Sequence, residues 1–300
     1  SNNEHVGLLY HAKTNSICYW NTDMYGVDPE KEGAKEYYDS IFALYASWGV
    51  DFIKCDDIAR ELPQEETELL MLSKALHECE RTMVLSLSPG PALLEKAELY
   101  KQISNMWRIT EDFWDRWEDL YDMFSKAEKW CTHAGAGHWP DADMLPIGPI
   151  RQVYDISNRT KFSEDEQITM LTLWSIMRSP LMIGGEMTGF DEFTMGLVTN
   201  CEILRMHTDA RHSHQVWRRE LNGVEHVLWI AADAQGGWYT AVFNLGDTDS
   251  IFSISLADLE IYDEVKGTEL WSGEHMDIKE SLRVSLKSHG AKVYHFTVGN

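Results

Sequence analysis

The stretch Trp48-Gly49-Val50-Asp51-Phe52-Ile53-Lys54-Cys55-Asp56-Asp57 constrains the fold more than any other part of the chain. Val50, Phe52 and Ile53 have the bulk of a strand, and Lys54, Asp56 and Asp57 then crowd its carboxyl end. This reads as a buried parallel strand, and the carboxyl end of such a strand is where α/β folds place their ligand sites. Ions are costly to desolvate, so charge is kept there where it is paired or used. Alternate strand residues share a face, which turns Lys54 and Asp56 one way and Cys55 and Asp57 the other. An Asp at a strand end also caps the next helix. Asp57 fits that role better, and the rest of the chain must decide for Asp56.

Around this strand the pattern alternates. A helix is predicted over 29–47, opened by Pro29, and another over 65–80 with Leu69, Leu72 and Leu76 on one stripe. A strand from Met83 stops at Ser88-Pro89-Gly90-Pro91, and helices over 92–102 and 114–131 flank a strand at Asn105–Asp112. His138–Leu145 forms a third charged strand end, a helix covers 164–178, Arg178–Gly185 reads as a fifth short buried strand, and 190–206 is helical. Val6–Tyr10 fits a short strand or an ordered arm. Strand and helix alternating in this way imply parallel pairing with right-handed crossovers, the rhythm of a (β/α)8 barrel. Five strands are countable where closure needs eight.

The texture changes near residue 212. Short alternating strands are separated by turns such as Leu221-Asn222-Gly223 and Ala234-Gln235-Gly236-Gly237. Residues 1–211 are therefore read as a barrel portion, and 212–300 as a C-terminal antiparallel β-sandwich.

A formal charge of −23 over 300 residues disfavours nucleic acid and anionic membranes as partners and favours a neutral or cationic ligand. No apolar run reaches the roughly 18 residues of a membrane span. No signal peptide is visible in this stretch, which leaves bacterial cytoplasm and periplasm both open. Five cysteines without a Cys-x-x-Cys pair do not make a disulfide framework. His212-Ser213-His214 lacks a third ligand at useful spacing, so neither metal nor cofactor is implied.

Parity gathers the charged strand ends. Lys54 with Asp56, Ser86 with Ser88, Arg108 with Thr110 and Asp112, and Trp139 with Asp141 and Asp143 each share a face. Facing inward, they would meet at one barrel mouth. Asp56 and Asp112 lie two strands apart, which brings inward-leaning carboxylates to roughly 5 to 7 Å, the separation of a retaining glycosidase pair. Lys54 favours Asp56 as the carboxylate nucleophile, and Arg108 is expected to hold a substrate hydroxyl or carboxylate rather than to contact Asp112 tightly. Trp20, in the aromatic loop 18–29, is a candidate sugar platform.

At these residues the chain resembles the family-27 glycoside hydrolases of clan D, the α-galactosidase and melibiase group. Lys54-Cys55-Asp56 is similar to the family's Lys-aromatic-Asp nucleophile motif, with Cys in the aromatic place. Arg108 and Asp112 keep the spacing of its Arg and acid/base Asp. Trp139-Pro140-Asp141-Ala142-Asp143-Met144 resembles its Trp-Asn-Asp-Pro-Asp-Met, and Ser179–Gly185 its last barrel strand. The resemblance implies strands 4 to 8 of the barrel plus the sandwich, and a retaining exo-glycosidase acting on terminal α-galactoside-type residues. Asp56 and Asp112 would be catalytic, and Lys54, Arg108, Trp139, Asp141, Asp143, Trp20 and Ser88 would be substrate-binding. The substrate would be a neutral oligosaccharide or glycoside. Ser86-Leu87-Ser88 stands where α-galactosidases carry a Glu that reads the 2-hydroxyl, which leaves α-N-acetylgalactosaminides, β-L-arabinopyranosides and isomaltose units as alternatives. An inactive carbohydrate-binding remnant of the same family is the contrasting reading. Open sheet edges imply self-association.

Overall fold

The computed structural model describes residues 12–22, 24–59, 66–150, 158–259, 261 and 264–298. Val6–Tyr10 lies outside them. Contacts divide the chain into two compact units, one of residues 1–112 and 135–141, the other of 113–134 and 142–300.

In the first unit, β1 (Ala12–Ile17) and β2 (Tyr25–Val27) form an antiparallel hairpin, whose second strand lies within the stretch 18–29 read as a loop. Helix α1 (Ala34–Ser47) starts five residues later than Pro29 implied. Gly33, at φ 85°, makes the turn into it, a conformation that costs a residue without Cβ little. Four strands then pair in parallel in the order β3 (Phe52–Cys55), β4 (Val84–Leu87), β5 (Met106–Arg108) and β6 (Trp139–Asp141). Helix α2 (Glu66–Glu78) buries Leu69, Leu72 and Leu76 as its stripe predicts, each contributing about 1.5–3 kcal/mol relative to exposure. The Ser73 hydroxyl on α2 donates to the Ile103 carbonyl at 2.8 Å, tying α2 to the end of α3 (Ala97–Ile103). Tyr100 of α3 stacks on Trp107 of β5.

Two expectations fail here. The strand at 48–57 is not buried: β3 is the edge of the described sheet, and Phe52 is 41% exposed because one flank has no neighbour among the described residues. Arg178–Gly185 is not a buried strand either. It contributes a single parallel bridge, Leu145 to Ile183, and Met182 and Ile183 are both exposed. The apolar run there follows a left-handed helix end at Arg178, φ 61°, and the chain stays irregular.

The second unit holds α4 (Trp117–Trp130), α5 (Glu164–Met177), α6 (Glu192–Thr199) and α7 (Cys201–Asp209), followed by the sandwich. A six-stranded sheet runs in the order β12 (His275–Ile278), β11 (Val265–Glu269), β14 (Ala291–Val298), β9 (Trp238–Asn244), β8 (Val224–Ala232), β7 (Arg211–Leu221). Strands β10 (Ser250–Ser255) and β13 (Ser281–Leu286) pair separately. Leu228, Val242, Ile254, Val284 and Phe296 are fully buried between the two sheets. The β7–β8 turn has Asn222 and Gly223 both at positive φ, the backbone that matches strand twist in a two-residue hairpin. Helix α5 is buried nearly all round and contacts β9 and β14 as well as α4 and α7, as a helix apolar on every face must.

Candidate active site

Register places the predicted residues in levels across the parallel sheet. Lys54, Ser86, Met106 and Trp139 are successive Cα partners, and one dipeptide further Arg108 pairs with Asp141. The Ser88 amide donates to the Cys55 carbonyl at 3.0 Å, which carries the β3–β4 ladder one step on. Asp56, Ser88, Arg108 and Asp141 therefore fall at one level on one face, at the carboxyl ends of four adjacent strands. Ser88, Arg108 and Asp141 are buried, whereas Lys54 and Asp56 on the edge strand are exposed.

The loop after β4 is held against β5. Ala92 donates its amide to the Arg108 carbonyl at 2.8 Å, and Gly90 lies so close to the 108–110 backbone that no side chain fits. Arg108 donates to the Thr110 carbonyl at 3.2 Å and to the Asp112 carboxylate at 3.3 Å. Arg108 was expected not to contact Asp112 tightly, and the contact between them is a long one. They are in contact because a guanidinium 3% exposed must be met by acceptors, although 3.3 Å is long for a charge-assisted bond and Asp112 itself is 76% exposed. Trp139 is half-buried. Asp143 belongs to the second unit, in the left-handed region at φ 75°, where it accepts the Phe113 amide at 2.8 Å and its carbonyl receives the Trp174 indole N–H. A non-glycine residue held there costs of order 1–3 kcal/mol, and such positions concentrate at functional sites.

Asp57 does not cap α2. It stands at φ 70°, nine residues before that helix, and its carboxylate bonds the buried Cys18 thiol, whose pKa is raised by burial and then by this bond. Cys18 opens the hairpin tip, where Tyr19 and Trp20 meet edge to face at 4.8 Å with Trp20 47% exposed. All five cysteines are free thiols.

Sequence reading missed Glu68. This carboxylate is 4% exposed and accepts the Val27 amide at 2.7 Å and the Tyr38 hydroxyl at 2.6 Å. It lines a cavity of about 100 Å³ with Ser16, Gly26, Tyr38, Cys55, Asp56 and Asp57. Burial, then the charges of Glu68, Asp56 and Asp57, push the Cys55 thiol up to about 12, so it stays protonated and is no nucleophile at neutral pH. Burial and Glu68 likewise raise the Tyr38 phenol, keeping it a donor. The spacing of Glu68 from Leu72 and Ala75, four and seven residues, was the available sign that it faces inward.

These features define a class: a parallel (β/α) barrel portion with polar and acidic residues at its strand carboxyl ends, followed by an antiparallel β-sandwich. Residues 27–209 match the family model for alpha galactosidase A, and residues 212–296 that for the alpha galactosidase C-terminal β-sandwich domain. The chain belongs to the α-galactosidase, or melibiase, family of glycoside hydrolases, family 27. It is similar to the solved family-27 β-L-arabinopyranosidase of Geobacillus stearothermophilus, with 48% identity and a TM-score of 0.90 over 96% of this chain and 67% of that one. A variant of that enzyme, solved with arabinose, is 47% identical with a TM-score of 0.91 over 97% and 68% of the two chains. Alpha-galactosidase 2 of Arabidopsis thaliana is 23% identical over 256 residues, 84% of this chain and 61% of that protein. The chain spans about two thirds or less of the length of these relatives.

Proposed function

We propose that residues 1–211 carry the catalytic pair of a retaining exo-glycosidase and that residues 212–300 are an accessory sandwich. Asp56 attacks the anomeric carbon as Asp112 protonates the leaving oxygen. Water, deprotonated by Asp112, then releases the sugar from Asp56. Lys54, Ser88, Arg108, Trp139, Asp141, Asp143 and Trp20 bind or support the sugar. The observation that supports this most is the shared level of Asp56, Ser88, Arg108 and Asp141 at four adjacent strand ends. The substrate is a terminal pyranoside of galacto configuration. A β-L-arabinopyranoside has the ring stereochemistry of an α-D-galactoside without the hydroxymethyl group, and the 48% identity to an arabinopyranosidase, together with Ser88, favours it as the second substrate to try. Aryl α-galactoside, α-N-acetylgalactosaminide and β-L-arabinopyranoside should be offered to the chain and to Asp56→Asn. Turnover of one sugar, lost in Asp56→Asn, is the expected result. Turnover that survives the substitution sinks the assignment, and its absence throughout favours a binding-only remnant.

A further inference from the structure

Resting on Asp56 as the nucleophile, we propose that Glu68 is a positioning residue: its carboxylate clamps the aromatic hairpin β1–β2 onto α1 and α2, beside the carboxyl end of β3, and so sets where Trp20 stands relative to Asp56. Three elements converge on this side chain. It takes the Val27 amide at the end of β2 and the Tyr38 hydroxyl of α1, and it is itself carried by α2. Gly26 lets the hairpin close over it. A Cβ at Gly26 would stand 2.8 Å from both Glu68 Oε2 and Ser16 Oγ, so the strand runs directly across the carboxylate. The tip is held separately, through the bond between Cys18 and the Asp57 carboxylate next in the chain to Asp56. The stretch that presents Tyr19 and Trp20 is thereby held at one end to α1 and α2 and at the other to the residue after Asp56, and Asp56 and Glu68 line the same cavity. Aromatic faces supply apolar contact to a sugar ring, and a platform displaced by an ångström loses binding before it loses chemistry.

A carboxylate that only filled the core would be replaceable without altering substrate affinity. One that aims the platform would not. Glu68→Ala and Glu68→Gln should be compared in the full chain by hydrogen exchange and by steady-state turnover of the aryl glycosides. We expect Glu68→Ala to speed exchange at Val27 and across 12–27 at least tenfold while 84–87 and 106–108 keep their protection. KM should rise about tenfold with kcat within threefold of the parent. Glu68→Gln retains an acceptor for both donors and should restore both readouts to within about threefold. Trp20→Ala, which leaves the clamp intact, should reproduce the KM effect without the exchange effect, and it serves even if Glu68→Ala fails to fold. Unchanged exchange over 12–27 in Glu68→Ala, an unchanged KM in Trp20→Ala, or a fall in kcat alone would each overturn the proposal. Failure of the Asp56 reading shows differently, as absent turnover or turnover surviving Asp56→Asn, and removes the link to catalysis while exchange still reports the clamp.

Discussion

A methyl group on Gly90 would stand 2.2 Å from the Thr110 carbonyl oxygen and 2.7 Å from that of Arg108. Both obstacles are backbone, so nothing yields cheaply. Gly90→Ala is expected to destabilise the first unit by about 1–3 kcal/mol, read as a lower denaturant midpoint, and an unchanged midpoint would refute the packing argument. At this scale the sequence was a guide to most, not all, of the charged residues at strand ends: Asp57 escaped it. Lys54, Asp56, Arg108 and Asp141 were placed by parity, because side-chain alternation in a strand is local geometry. Glu68 was not, since its burial depends on a hairpin forty residues earlier in the chain. Nor was the Arg108–Asp112 contact, which is decided by how deeply the guanidinium is buried.

At the scale of elements, α5 has the most explicit start signal. The Ser163 hydroxyl accepts the Glu166 amide at 3.2 Å and the Glu166 carboxylate accepts the Ser163 amide at 2.8 Å, a reciprocal capping box. The other Glu166 oxygen meets His289 at 2.7 Å, and that imidazole stacks on Trp117 at 3.6 Å. Ser163→Ala should cost about 0.5–2 kcal/mol; calorimetry of the full chain would show it, and no loss would mean that burial of α5 alone defines its start. Helix α2 was legible because the period of Leu69, Leu72 and Leu76 is written within its own residues. The hairpin β1–β2 was hidden by its irregular register and by a tip whose aromatic and polar residues read as loop. The fifth strand was overread, since a short apolar run before two glycines does not by itself find a ladder partner.

For the molecule as a whole, pH is the informative variable. Burial lowers the pKa of both His207 and His226 below the ordinary 6.5. The Ser179 carbonyl opposes this at His207, where Arg178 reinforces it, and the Val224 backbone and Glu225 oppose it at His226. Between the lowered folded values and 6.5 the unfolded chain binds more protons, so this stabilisation is complete above about pH 6.5 and is lost as pH falls through that window. Melting temperature should therefore fall from pH 7 to 5.5. His226→Gln, which can still reach the Ser250 hydroxyl that His226 meets at 2.8 Å, should flatten that slope. A slope identical to the parent's would remove His226 from the account.

What the amino-acid sequence determined by itself was the alternation of strand and helix, the change to antiparallel texture near residue 212, and which acids end strands. All of these are set by side-chain period and turn chemistry over a few residues. Only the tertiary structure decided that Asp57 turns left-handed toward Cys18, and that Glu68 joins the hairpin to α1 and α2. Burial and partnership between distant segments depend on what the rest of the chain places alongside, and no local pattern carries that.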